Sequence, residues 1–188
     1  MEAIKHLSIT ELEAGMDYIR QSPKDHGVLK MIVRRPEDDE REAIEHGELD
    51  RSEGLIGDNW KVRGSKHSAD GSANMNAQIT VMNARLIELV AQNEERWSLA
   101  GDQLYIDMDL SDENLPPGTR LAIGSAVIEV SAEPHTGCKK FSARFGVEAM
   151  KFVNSPEGKR SHLRGINTRV VQSGAIRVGD VVRKITGV

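Results

Sequence analysis

The feature that most narrows the fold is a series of short apolar runs joined by glycine-containing turns in the second half of the chain. In TRLAIGSAVIEVSAE, Ala126, Ile128 and Val130 alternate with Val127, Glu129 and Ser131, the two-residue period of a half-buried strand, and Gly124-Ser125 supplies a turn. RGINTRVVQSG and AIRVGDVVRKI repeat the arrangement, interrupted at Ser173-Gly174 and again at Gly179-Asp180. Strands this short and turns this close leave little room for long crossover helices. The chain therefore reads as mainly β with inserted helices, a barrel or a sandwich, rather than a doubly wound sheet.

The first half fills in the helices. Thr10-Glu11-Leu12-Glu13 has the form of a capping box, and Leu12, Met16 and Ile19 follow at helical spacing until Ser22-Pro23, which predicts a short opening helix. HGVLKMIVRRP reads as a strand by its β-branched content, and Pro36 followed by four acidic residues predicts a surface helix closed by Gly47. Residues 51–77, rich in Gly, Ser, Asn and Asp, predict a long irregular connection. Gln78 to Met82 reads as a strand, ARLIELVAQ as an amphipathic helix and LYIDMDL as a further strand. With 188 residues and 38% apolar content, one compact core is expected: a single domain over 1–188, with 1–24 as a helical extension.

Several functional classes are disfavoured. Aromatics are only 4% of the chain, too few for the stacking platforms of single-stranded nucleic-acid binders. No apolar stretch approaches the roughly 18 to 20 residues of a membrane span, and the N-terminus lacks an export signal, so a cytoplasmic protein without membrane or nucleic-acid partners is expected. One cysteine, Cys138, rules out an intramolecular disulfide and any zinc site built from several thiolates. The net charge of −4 is unevenly distributed: residues 134–188 carry 11 basic and 3 acidic side chains, a net +8, and the remainder a net −12. That asymmetry predicts an anion-favouring field in the C-terminal third.

Within that third lies EPHTGCKKFSARFG. Thr136-Gly137 is placed to cap a helix starting near Cys138, with Phe141 and Phe145 at i and i+4. A thiol there, beside Lys139 and Lys140, is placed to favour the thiolate, the nucleophilic and metal-binding form. His135, three residues earlier, could share a metal with it, serve as its base, or be a bystander, since no HxH, HExxH or CxxC spacing accompanies it. Downstream, Arg164 and Arg169 flank Gly165-Ile166-Asn167-Thr168 and offer planar forks suited to oxyanions. Neither a P-loop nor a Rossmann glycine pattern occurs.

These elements together resemble the MOSC domains, named after the C-terminal domain of molybdenum cofactor sulfurase. Gly54-Leu55-Ile56-Gly57-Asp58 resembles the family's early Gly-x-x-Gly-Asp signature, and Glu113-Asn114-Leu115 its Glu-Asn-Leu element. PPGTRLAIGSAVIEVSAEPHTGCKKF resembles the strand pair leading to its single cysteine, and RGINTRVVQSGAIRVGDVV its closing elements. The likeness spans about residues 27 to 185 and is strongest over 103–185. Where many members carry Arg after the Gly-Asp pair, this chain has Asn59-Trp60, with Lys61 and Arg63 slightly later.

The resemblance implies a barrel of the pyruvate-kinase type and a site for the molybdenum cofactor (molybdopterin). Cys138 would be the catalytic residue and metal ligand, with Asp58, Asn114, Lys139, Lys140, Arg164 and Arg169 around the cofactor. The implied activity is reduction of small N-hydroxylated substrates, with a separate electron-donor protein because the chain shows no flavin or iron-sulfur motif. The family also suggests a sulfur carrier with a persulfide on Cys138 for metal-sulfur cluster assembly, a non-catalytic anion-binding module, and, at family level, pyridoxal phosphate binding.

Overall fold

The computed structural model describes residues 5–66 and 68–185, so residues 1–4 of the expected extension lie outside the described residues. In chain order it contains α1 (Ile9–Ala14), α2 (Met16–Arg20), β1 (Gly27–Arg34), β2 (Glu42–Ile44), β3 (His46–Asp50), β4 (Gly54–Leu55) and α3 (Trp60–Arg63). Then come β5 (Ile79–Asn83), α4 (Ala84–Ala91), β6 (Leu104–Asp107), β7 (Arg120–Ile123) and β8 (Ala126–Val130). The chain continues through α5 (Lys139–Phe145), α6 (Val147–Asn154), α7 (Pro156–Arg160), β9 (Ile166–Gln172), β10 (Gly174–Arg177) and β11 (Val181–Ile185).

Seven strands close a ring in the order β1, β11, β7, β8, β9, β5, β6 and back to β1. Only β5 and β6 are parallel, and a parallel pair cannot be joined by a hairpin. The crossover between them is α4 followed by the 3-10 segment Glu94–Ala100. Closure removes the sheet edges that seven short strands would otherwise expose. Among the described residues no helix is long and apolar enough to cross a membrane.

Strand alternation sorts the core into two layers. Leu29, Ile32, Ile79, Val81, Leu104, Ile106, Leu121, Ile128 and Val182 fill the barrel interior. The opposite faces of β1, β5 and β6 present Val33, Met82 and Tyr105 to a second layer formed with Leu12, Leu86, Ile87, Phe141, Phe145 and Phe152. These strands are buried on both faces, which is why they read as nearly continuous apolar runs. A register shift between Leu29 and Met31 lets Leu29 and Ile32, three apart, both face inward.

Two helix expectations are corrected. The capping box is Ser8-x-x-Glu11, two residues earlier than Thr10: the Ser8 hydroxyl accepts from the Glu11 backbone N–H at 3.3 Å and the Glu11 carboxylate from the Ser8 N–H at 2.8 Å. That start still buries Leu12, Met16 and Ile19, but the helix divides at Gly15, where a Cβ would stand 2.4 Å from Leu89. The surface helix expected after Pro36 is instead a turn leading into β2 and β3. Asp39 takes a left-handed φ of 62°, and β2 pairs with β1, aligning Glu42 with Arg34 in an ion pair at 2.7 Å. Gly47 lies inside β3, packed against Leu55, Ile176 and Ile32. The connection over 51–77 is largely irregular as expected, with β4, α3 and a 3-10 turn at Met75–Ala77 set into it.

Two buried polar side chains tie this connection to the barrel. Gln78 donates to the Arg51 carbonyl at 3.0 Å, accepts from the Val170 N–H at 2.8 Å, and its own carbonyl accepts from Gln103 at 3.2 Å. Asp58, fully buried, accepts from the Arg35 backbone N–H at 2.9 Å, from Arg35 Nε and Nη2 at 2.8 Å each, and from the Trp60 N–H at 2.9 Å. Replacing Gln78 by Leu strands the Val170 N–H, and urea denaturation should show a loss of about 1–3 kcal/mol. Asp58→Ala leaves the Arg35 guanidinium buried without its counter-charge. The expected loss in the same experiment is about 3–5 kcal/mol, and a loss below that of Gln78→Leu would contradict this reading.

Candidate functional site

Cys138 is set by a loop held from both sides. After β8 the carbonyls of Glu133 and Pro134 accept from the Asn167 side chain of β9 at 3.2 and 3.1 Å. Three residues on, the Gly137 N–H donates to Asn154 Oδ1 at 2.8 Å and the Gly137 carbonyl accepts from Asn154 Nδ2 at 3.1 Å. A side chain at Gly137 would press on Val153 at 2.9 Å, so this close contact requires glycine. Cys138 follows as the residue preceding α5, exposed, and its side chain does not cap the helix. Phe141 and Phe145 anchor α5 in the core with ring centroids 5.0 Å apart.

The solvent side of α5 meets the turn after β1. Lys140 Nζ and Arg144 Nη2 stand 3.1 and 3.4 Å from Asp39 Oδ1. Beyond them, three successive carbonyls each receive a guanidinium: Leu99 from Arg144 at 2.6 Å, Ala100 from Arg164 at 3.0 Å and Gly101 from Arg35 at 3.0 Å. Arg41 lies against Gly101, where an added Cβ would be 3.8 Å from its Nη2. Burial, with the like charges of Arg144 and Arg35, pulls the affinity of Arg41 for its proton down, and burial with Arg35 does the same for Arg63. Arginine does not deprotonate in practice. Burial is the larger cause and the neighbouring arginines add to it, and among the described residues neither Arg41 nor Arg63 has an ion pair. Arg41 Nε and Asn59 Oδ1, both buried, have no hydrogen-bond partner.

The residues singled out in the sequence fall in several places. Lys139 opens α5 beside Cys138 and is exposed, and Lys140 is drawn toward Asp39. Asp58 sits behind the arginine cluster, holding Arg35 at the end of β1. Asn114 lies beyond the other end of β1, where it bonds the Lys24 and Asp109 carbonyls and accepts from Lys184 Nζ at 2.8 Å. Eight residues of strand at about 3.3 Å each separate those ends by roughly 25 Å. Arg164 is buried, its fork taken by Asp102 Oδ2 at 2.7 Å and the Ala100 carbonyl, with its charge 5.1 Å above the Phe141 ring. Arg169 shares Glu129 with Arg120 on the outer face of the barrel, beside a separate cavity of about 680 Å³.

Arg35, Arg41, Arg63 and Arg144 are the site groups that the sequence reading missed. Three of them come from the net-acidic part of the chain, and only the turn after β1 and the connection after β4 carry them to α5. Arg63 had one signal, its place just after the Gly-Asp pair. Among the described residues no three His, Cys, Asp or Glu side chains gather into a metal-binding group.

Comparison with known proteins follows from this geometry. No curated protein matches the sequence. Among solved structures, the YuaD protein from Bacillus subtilis aligns with a TM-score of 0.57 at 17% identity, covering 84% of this chain and 95% of that one. YiiM from Escherichia coli aligns at 0.54 and 15%, covering 86% and 71%. A protein described only as hypothetical aligns at 0.56 and 18%, covering 91% and 72%. At these identities the likeness concerns the fold, a closed seven-stranded mixed barrel. The sequence model of the MOSC domain matches residues 72–183, more than half of the length and including Cys138. On that match the chain belongs to the MOSC domain family.

Proposed function

We propose that this MOSC protein binds the molybdenum cofactor with Cys138 as the metal ligand and reduces small N-hydroxylated compounds. The observation that carries the reading is an exposed, unpaired thiol at the start of a helix whose next turns, Lys140 and Arg144, run toward Arg41 and Arg63, two arginines without an ion pair among the described residues. One sulfur with no other clustered ligand cannot make a protein-only metal site. It suits a metal that arrives with most of its ligands, and a soft thiolate suits molybdenum carried on a pterin dithiolene. The pterin phosphate needs cations, and Arg41 and Arg63 are two that no ion pair engages among the described residues. The donor set therefore fits the group.

In this arrangement Cys138 would hold the metal, and the Asn154 clamp on Gly137 fixes the backbone just before it. Arg41 and Arg63 would bind the phosphate through charge-assisted bonds. Lys140 and Arg144 engage Asp39, so that carboxylate competes less with the anion for Arg41. The bound cofactor supplies two-electron oxygen-atom removal. Electrons come from a separate donor protein, which the exposed face beside Cys138 leaves room to approach.

The test is metal and pterin content of protein made in a host that synthesises the cofactor. Wild type should hold molybdenum and pterin, and Cys138→Ser should lose the metal and the reduction of N-hydroxylated substrates together, with an unchanged thermal midpoint. Arg41→Ala should lower pterin content. Retention of molybdenum by Cys138→Ser would overturn the ligand assignment. A wild type without molybdenum but with cyanide-releasable sulfur on Cys138 would replace it with the sulfur-carrier reading, and one with neither would leave an anion-binding module.

A further inference from the structure

A second cationic cavity lies on the other side of the Cys138 loop and does not include Cys138. Its volume is about 280 Å³, and it opens between Pro134–Thr136, the end of α6 and the segment after α7. Four of its lining side chains are basic: His135, Lys159, His162 and Arg164; Pro134 and Val153 give it apolar walls, and no lining residue is acidic.

Its polar atoms lack partners. Arg164 is 6% exposed, and with both Nη atoms engaged its Nε–H is buried and unsatisfied. The Nδ1 atoms of His135 and His162 are likewise buried and unpaired. His162 Nε2 is held by Asp112 at 2.8 Å, and its backbone stands at a left-handed φ of 45°, uncommon in a non-glycine residue. Lys159 has no side-chain partner among the described residues. Burial, with the charges of Arg164 and Arg35, keeps His135 neutral, and Arg164 and Lys159 bring fixed positive charge to the pocket. Behind His135, Asp102 Oδ1 is 3.6 Å from its Nδ1, too far for a hydrogen bond, and is itself buried without a partner, while Oδ2 takes Arg164.

Native interiors rarely leave buried polar atoms such as Arg164 Nε and His162 Nδ1 unpaired, and ligands or ordered waters are what satisfy them. We infer that this cavity is a binding site for a small oxyanion of phosphate or phosphate-monoester size, gripped by Arg164 Nε–H and Lys159, with His135 and His162 lining the pocket around it. The inference is independent of the molybdenum reading. No residue of the Arg41–Arg63 cluster lines the cavity.

The probe is inorganic phosphate, titrated into cofactor-free full-length protein by calorimetry and thermal melting, with chloride at equal ionic strength as the control. Phosphate should raise the melting midpoint where chloride does not. Lys159→Ala, a change at an exposed unpaired side chain, should weaken binding roughly tenfold, the equivalent of one hydrogen bond to a charged group. His162→Ala provides a second variant, and the His135 and His162 ring resonances should move during the titration in wild type. Binding that survives Lys159→Ala but is lost in Arg41→Ala would assign the anion to the arginine cluster and overturn the proposal. So would a phosphate response no larger than that of chloride.

Discussion

Where the 3-10 segment Glu94–Ala100 turns into β6, the carbonyls of Leu99, Ala100 and Gly101 leave regular structure and need donors, because a buried carbonyl without one destabilises the fold. They are served by Arg144 from α5, Arg164 from the entry to β9 and Arg35 from the end of β1. One turn thereby joins the barrel, the loop before β9 and the helix that carries the cysteine. Arg35 and Arg164 are held in turn by the buried carboxylates Asp58 and Asp102. Buried pairs of this kind contribute little net stability when intact, yet losing one partner is strongly destabilising, so they fix geometry more than they add strength.

The strands were legible because their signal is local. Ala126, Ile128 and Val130 alternate within one strand, and β8, β10 and β11 start at or just after Gly124, Gly174 and Gly179. The helix expected after Pro36 failed for a non-local reason: Glu42 and Ile44 pair with Arg34 and Ile32 of β1, and a strand partner outweighs a favourable run of N-terminal carboxylates. Barrel closure itself, through Gly27–Val182 and Val28–Val181, has no trace in the local sequence.

The site was legible only at its centre. Cys138 stood out because it is a lone cysteine in a basic, turn-initiated segment, and the structure leaves it exposed. The anion-favouring field was expected from residues 134–188, but much of its positive charge there is matched in pairs, as with Arg169 and Glu129 or Lys151 and Glu148. Arg41 and Arg63, which have no ion pair among the described residues, lie in the acidic part of the chain. Counting charge by segment cannot see this, since pairing depends on which elements the fold brings together.

Asp102 gives these observations a common physical basis. Its carboxylate is buried, and desolvation raises its proton affinity while the Arg164 charge opposes that rise. It reaches Arg164 directly and His135 at 3.6 Å, both on the wall of the second cavity, while the neighbouring Gly101 carbonyl takes Arg35 on the side of Arg41. Two cationic regions thus back onto one short turn and share its negative oxygens. An anion entering either region would draw positive charge away from that turn, and the loop from His135 to Cys138 lies between them. The loop clamped by Asn167 and Asn154 joins His135, on the wall of the second cavity, to Cys138 three residues on, so the backbone and not a direct contact sets where the thiol stands relative to these charges.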